Sequence, residues 1–311
     1  MSRGATKSGS PPDVAAELIA ARLVQYAATT LLFGALLFPV YTTFPHARGR
    51  DRTALAPAAL PFLRAASALA IISALAWFAF TVAQMAGDTA AAGDVDLLIS
   101  TARDTDFGRL WTVRLAVAVA LLSVLCWRRT TGLWGLLLAS ILLGSLALTG
   151  HAGSGSGLRG WIHVAADALH LLSAGFWIGA LPALVAAVTG GSDFAHRAQM
   201  HRTLSRFSSV AVIVVGLLVA TGVVNTVLMI ASPRDLLRTR WGLILLTKLG
   251  LVAGMLALAA VNRRRHTPAL VGPIGGEAAI TTLRRNILFE LVLAALIIAL
   301  VSLLGLLPPT G

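Results

Sequence analysis

Cysteine is almost absent from this 311-residue chain, where Cys126 stands alone. A lone thiol excludes an internal disulfide and any cluster built on several thiolates, and Cys126 has no CxxC partner that would make it reactive. Charge is scarce as well, at 12% of residues against 57% hydrophobic, with a mean hydropathy of +0.82. Soluble domains average about 25% charged and roughly 45–50% apolar residues. The balance here suits a bilayer better than water. Nucleotide-driven chemistry finds no support: there is neither a Gly-x4-Gly-Lys-Ser/Thr phosphate loop nor an Asp-Lys-Thr-Gly-Thr phosphorylation sequence. The opening "MSRGATKSGSPPDVAAEL" has basic residues but no apolar core followed by a small-residue cleavage site. It reads as a flexible tail over residues 1–14 ahead of an uncleaved first span.

What the chain does have is long apolar runs. About 20 mostly apolar residues cross the hydrocarbon core as a helix. Eight segments qualify, roughly 17–43, 61–87, 107–127, 131–150, 160–189, 205–231, 240–262 and 283–307. Backbone groups in lipid must bond internally, and runs such as "LFELVLAALIIALVSLLGLL" do not alternate as barrel strands do. The expected fold is all-α: a polytopic membrane helical bundle of about eight transmembrane helices. It falls into a four-helix half over 15–150 and a second four-helix half over 151–311.

The net charge of +12 comes from 25 Lys+Arg against 13 Asp+Glu. In a soluble protein that excess would suggest nucleic acid; here it orients the chain in the lipid bilayer, and no nucleic-acid partner is expected. Arginines gather in alternate loops: Arg48, Arg50 and Arg52; Arg128 and Arg129; Arg197 and Arg202; Arg263, Arg264, Arg265, Arg284 and Arg285. Of the intervening loops, "GDTAAAGDVDLLISTARDTD" is rich in aspartate and "HAGSGSGLRG" has only Arg159, although "SPRDLLRTR" carries three arginines. The positive-inside rule then places both termini on the extracytoplasmic side, with the fifth span running inward from the outer face.

That span opens with "HVAADALHLLSAGFWIGAL". Residues three, four or seven apart share one helical face, so His163, Asp167 and His170 form a polar stripe that Trp177 continues. His151, ahead of the span, is joined to it by a glycine-rich turn. An aspartate at mid-helix costs on the order of 2.5–3.5 kcal/mol to insert, and such residues serve ion paths, relays or ligand sites. A carboxylate beside an imidazole orients the ring for metal binding. Imidazole suits copper, zinc, iron or nickel, and it ligates in its neutral form, so occupancy should weaken as pH falls.

Other polar residues lie within the spans. Lys248 sits about eight to ten residues into the seventh span, as a snorkelling lysine, an ion partner for Asp167 or an axial ligand opposite His170. Asn225 either lines the same cavity or bonds between helices, and Glu290 either pairs with a cytoplasmic arginine or acts in a relay. Met85 and Met229 near outer span ends pack, or offer thioethers to Cu(I). His46, His196, His201 and His266 fall in basic cytoplasmic loops, facing head groups.

With these residues in place, "DALHLLSAGFWIGALPAL" resembles the signature helix of the CopD copper-resistance membrane proteins. The likeness continues through "RFSSVAVIVVGLLVATGVVNTVL", "LLRTRWGLILLTKLGLVAGMLALAAVNR" and "LRRNILFELVL", covering roughly residues 145–305. It implies an eight-helix bacterial inner-membrane protein of copper uptake or homeostasis, partnered by a periplasmic CopC-like copper carrier. The implied copper site (Cu+ or Cu2+) draws on His163, Asp167 and His170, with His151 nearby. The His-x6-Trp-x-Gly helix and the Lys-Leu helix are also similar to the smaller HemJ-type protoporphyrinogen oxidases. By that likeness His170 and Lys248 would hold or neighbour a b-type haem, making the protein a redox enzyme. A third reading, an assembly factor that hands copper to an oxidase, shares the same site. The leading expectation is a copper-handling transporter without enzymatic activity, in which copper passes His151 and His163, then Asp167 and His170, then Asn225 and Lys248.

Overall fold

The computed structural model describes residues 15–42, 58–127, 132–149, 157–191, 193–230, 232–272 and 276–308. Helices α1 (Ala15–Thr42) and α2 (Ala59–Ala86) are followed by a 3-10 turn (Thr89–Gly93) and the short α3 (Val95–Asp104). Next come α4 (Asp106–Trp127), α5 (Gly132–Gly144) with a 3-10 extension (Ser145–Thr149), α6 (Gly157–Thr189) and α7 (Phe194–Met229). After α8 (Asp235–Arg238), α9 (Arg240–Val261) runs through a π turn (Asn262–His266) into α10 (Thr267–Ala269), and α11 (Gly276–Leu304) closes the fold. Among the described residues there is no strand, and eight helices are long and apolar enough to cross a membrane. The tail over 1–14, His46 and His151 lie outside the described residues.

Two departures from the sequence reading have local causes. The aspartate-rich loop after α2 is partly helical. Asp88 accepts from the Ala90 N–H at 2.9 Å and Asp94 from the Leu97 N–H at 3.1 Å, so each acid caps the turn that follows it. The sixth span begins at Phe194 rather than at 205, because Asp193 caps it through the His196 N–H at 2.9 Å. His196 and His201 therefore ride on the first turns of α7 instead of a loop. The His196 ring turns back onto the Ala187 carbonyl of α6, 2.9 Å from Nε2.

Antiparallel succession gathers the starts of α1, α4, α6 and α9 and the ends of α2, α5, α7 and α11 at one end of the bundle. Helix α1 is the central post, packing against α2, α5, α6, α7 and α11. Its crossing with α6 is made by glycine. A Cβ on Gly179 would lie 2.7 Å from the Gly34 Cα, and closer still to the Thr30 carbonyl. Gly175, one turn earlier, leaves room for Phe33 and Leu143. Small residues let helix backbones meet in lipid, where no hydrophobic effect drives them together. This accounts for Trp-x-Gly from the glycine side: position 179 has space only for hydrogen. Helices α7 and α9 are the least enclosed spans, each with 11% of its apolar window buried against 56% for α6. Helix α7 leans mainly on α6, and α9 on α11.

Candidate functional site

The polar stripe on α6 faces α7. Along α7, Leu218, Thr221, Gly222 and Asn225 recur at helical spacing, and each meets the stripe. His170 Nδ1 lies 3.1 Å from the Leu218 carbonyl oxygen and 3.2 Å from Thr221 Oγ1. A carbonyl can only accept, so Nδ1 is the donor, and in the neutral ring Nε2 keeps its lone pair. The Thr221 hydroxyl donates to the Leu217 carbonyl at 2.8 Å, which leaves its oxygen free to accept from the same ring nitrogen. The arrangement, one imidazole nitrogen anchored to backbone and the other available, is the one that orients histidine as a metal ligand. Gly222 gives the ring its seat: a Cβ there would stand 3.2 Å from His170 Cε1.

One turn toward the start of α6, Asn225 Nδ2 donates to Asp167 Oδ1 at 3.0 Å. The other end of that amide, Asn225 Oδ1, is buried and accepts no hydrogen bond among the described residues. A buried acceptor without a donor is costly to maintain. The unsatisfied oxygen beside a carboxylate is an electron-rich corner that a cation would complete. His163, two turns from His170, is 9% exposed on the same helix. Lys248 of α9 interacts electrostatically with both Asp167 and His170 without closing a direct ion pair. The structure thus brings Asp167, His170, Asn225 and Lys248 into one neighbourhood at the end of the bundle where α6 begins. Among the described residues, no three His, Cys, Asp or Glu side chains converge as a ready metal cage.

The remaining candidates lie elsewhere. Met85 is 67% exposed at the end of α2, while Met229 packs against a small cluster of Trp241, Leu245 and Leu304. Trp177 looks away from the stripe: its Nε1 donates to Glu290 Oε2 of α11 at 3.3 Å. Glu290 pairs with no arginine among the described residues. It is 3% exposed, and its other oxygen accepts from Asn262 Nδ2 at 3.0 Å, while Asn286 donates to Asn262 at 2.8 Å. Amides rather than an arginine meet it because the π turn after α9 rotates Asn262 inward and leaves Arg263, Arg264 and Arg265 outside. Trp177, Asn262 and Glu290 border a cavity of about 590 Å³ that extends past Leu204, Phe207 and Arg263.

Sequence reasoning missed a second buried polar group. Arg22, Gln25 and Tyr26 of α1, Ser73 and Trp77 of α2, Trp111 and Arg114 of α4 and Ser145 after α5 occupy the interior of the first half. Its signal lay in "ARLVQYAATT" and "WTVRLAVAVA", where an arginine interrupts an apolar run.

The family model described as Copper resistance protein D-like, N-terminal domain, matches residues 13–161, and the one described as Copper resistance protein D matches residues 201–304. Copper resistance protein D of Pseudomonas syringae pv. tomato is 32% identical over 309 residues, 94% of this chain and 96% of that protein. Copper transport protein CutJ of Bacillus subtilis (strain 168) is 28% identical over 275 residues, 84% of this chain but 48% of the relative, so the chain spans about half of that protein. Inner membrane protein YebZ of Escherichia coli (strain K12) is 29% identical over 258 residues, 81% of this chain and 85% of the relative. No solved structure matches.

Proposed function

This chain belongs to the copper resistance protein D family of multi-pass bacterial inner-membrane proteins, and from that premise we propose that it binds copper at the α6–α7 stripe and passes it across the membrane. The observation that carries the reading is the buried, unsatisfied Asn225 Oδ1 beside Asp167, one turn from an imidazole whose Nε2 is free. In this reading copper reaches His163 from the extracytoplasmic face, with His151 collecting it and a CopC-like carrier delivering it. His170 Nε2 supplies the strong ligand, and Asp167 with Asn225 Oδ1 supplies oxygen. Imidazole with oxygen donors holds copper well. A site without a closed cage holds it briefly, as transit requires. Lys248 marks the far limit of the site, where its amine competes with an arriving cation for Asp167. An inward-negative potential contributes about 2.3 kcal/mol per charge per 100 mV, enough to drive a monovalent ion without nucleotide hydrolysis.

A b-type haem is the second reading, favoured by the shared surroundings of His170 and Lys248. Neither residue borders the cavity of about 590 Å³, so that space does not serve a macrocycle bound between them. The test is copper accumulation by cells carrying His170→Ala, with insertion checked separately. Accumulation should fall to the level of cells without the protein, and unchanged uptake removes this site from the mechanism. Metal content and a visible spectrum of purified protein decide between the readings. Copper without visible haem absorption supports transport; a Soret band lost in His170→Ala replaces it with haem.

A further inference from the structure

The first half of the bundle buries two positive charges that nothing described neutralises. Arg22 is 5% exposed and Arg114 1%, each inside an apolar span. Neither guanidinium pairs with a carboxylate among the described residues; the Arg109–Asp106 pair on the surface is of a different kind. Arg22 lies over the Trp77 ring at 4.6 Å and Arg114 over the Trp111 ring at 4.4 Å, and the two indoles meet edge to face at 5.3 Å. Arg114 also donates from Nε to Ser145 Oγ at 3.0 Å and from Nη2 to the Ser145 carbonyl at 2.6 Å. Ring faces and neutral oxygens solvate a cation in part. They do not cancel its charge in a low-dielectric interior.

The unsatisfied side-chain atoms of these arginines and of the neighbouring Gln25 and Trp111 all have the same sense. Arg22 Nε, Gln25 Nε2, Trp111 Nε1 and Arg114 Nη1 are buried donors without acceptors among the described residues. Gln25 is 0% and Trp111 1% exposed, and the Gln25 carbonyl oxygen is already used by Ser73 Oγ at 2.6 Å. The four donors come from α1 and α4, in the compartment that α2 and α5 close. Tyr26 lies within electrostatic reach of both guanidiniums and of Asp167, so the compartment adjoins the stripe on α6. At the far end of α11, Gly305 abuts the Arg22 guanidinium, where a Cβ would fall on the head group.

We propose that this compartment is a site for a small inorganic anion of the chloride type, held by Arg22, Gln25, Trp111 and Arg114 between α1, α2, α4 and α5. Donors alone, two of them charged, match an acceptor that carries negative charge and needs no donor in return. The near-complete burial of all four residues keeps lipid head groups out and limits an occupant to a monatomic or similarly small ion. An anion here screens the two guanidiniums from the neighbouring stripe, so that a cation at Asp167 does not meet their repulsion.

The test uses the full chain purified in detergent with chelator present, so that its outcome is independent of copper. The unfolding midpoint is followed as sodium chloride replaces sodium gluconate at constant ionic strength. The expected result is a rise that saturates with chloride, as for any ligand of the folded state. Bromide should reproduce the rise, and Arg22→Gln and Arg114→Gln should each weaken half-saturation by about tenfold or more, as the loss of one charged hydrogen bond does. Chloride-35 line broadening, displaced by bromide, gives the same answer on wild-type protein if either variant fails to fold. A wild-type protein with no saturable response in either measurement overturns the site, as does a response that both variants keep unchanged.

Discussion

The glycine crossing of α1 and α6 allows a prediction worked from distances. In Gly179→Ala the new methyl would stand 2.7 Å from the Gly34 Cα and nearer still to the Thr30 carbonyl. Carbon atoms rest at about 3.5–4.0 Å, so the helices must part by about 1 Å. The obstacles are backbone, so no rotamer change relieves them. Overpacking of this kind costs about 1–3 kcal/mol. Alanine is also a better helix former than glycine by about 1 kcal/mol, which hides part of the loss. Gly250→Ala on α9 supplies the correction, because a Cβ there meets nothing within 4 Å. The difference between the two variants isolates the packing cost, about 1–3 kcal/mol. At roughly 2–4 °C per kcal/mol for a domain of this order of size, that is several degrees of unfolding midpoint. The assay is fluorescence-detected thermal unfolding in one detergent, side by side. Equal midpoints for Gly179→Ala and Gly250→Ala would refute the argument that backbone contact fixes this crossing.

Three further outcomes can be checked with the same preparations. Glu290→Gln should lower the midpoint, because an amide accepts from only one of Trp177 and Asn262 and turns an N–H toward the other, costing about 1–3 kcal/mol; an unchanged midpoint counts against the network. Asn225→Leu removes both the donor to Asp167 and the unsatisfied oxygen, and copper retention should fall about 10–100-fold, the range for loss of a supporting group around a metal. Retention at the wild-type level separates Asn225 from the site. Gly305→Ala should weaken the saturable chloride response, because its methyl falls where the Arg22 guanidinium lies; the response should survive in Gly250→Ala.

The spans were legible because their apolar runs are long and need no partner to be recognised. The expected 61–87 and 107–127 lie within two residues of Ala59–Ala86 and Asp106–Trp127. Polar helical turns were not legible. "FAHRAQMHRTL" has no apolar run, and its helicity depends on the Asp193 cap and on packing against α6. The pairing of Asp167 with Asn225 follows from one antiparallel helix contact, α6 on α7, so spacing along α6 pointed toward it; Lys248 comes from α9, which packs chiefly on α11. The direction of Trp177 could not be read in that way. Ten residues beyond Asp167 the helix has turned through nearly three full turns, and the indole meets α11 instead. The two buried arginines went unread because arginine was counted only where loops were expected. Their signal was position within a run, not number.

The meeting of Gly34 with Gly179 has a mechanical consequence. Bare backbone against bare backbone leaves nothing soft between α1 and α6, so the pair behaves as a fixed pillar about which neighbours lean. Helix α7 is braced on one flank and carries the threonine, glycine and asparagine that cover the stripe. On the proposed pathway it would be the shutter: the imidazole and carboxylate stay where the pillar holds them, and the wall opposite is the part free to move.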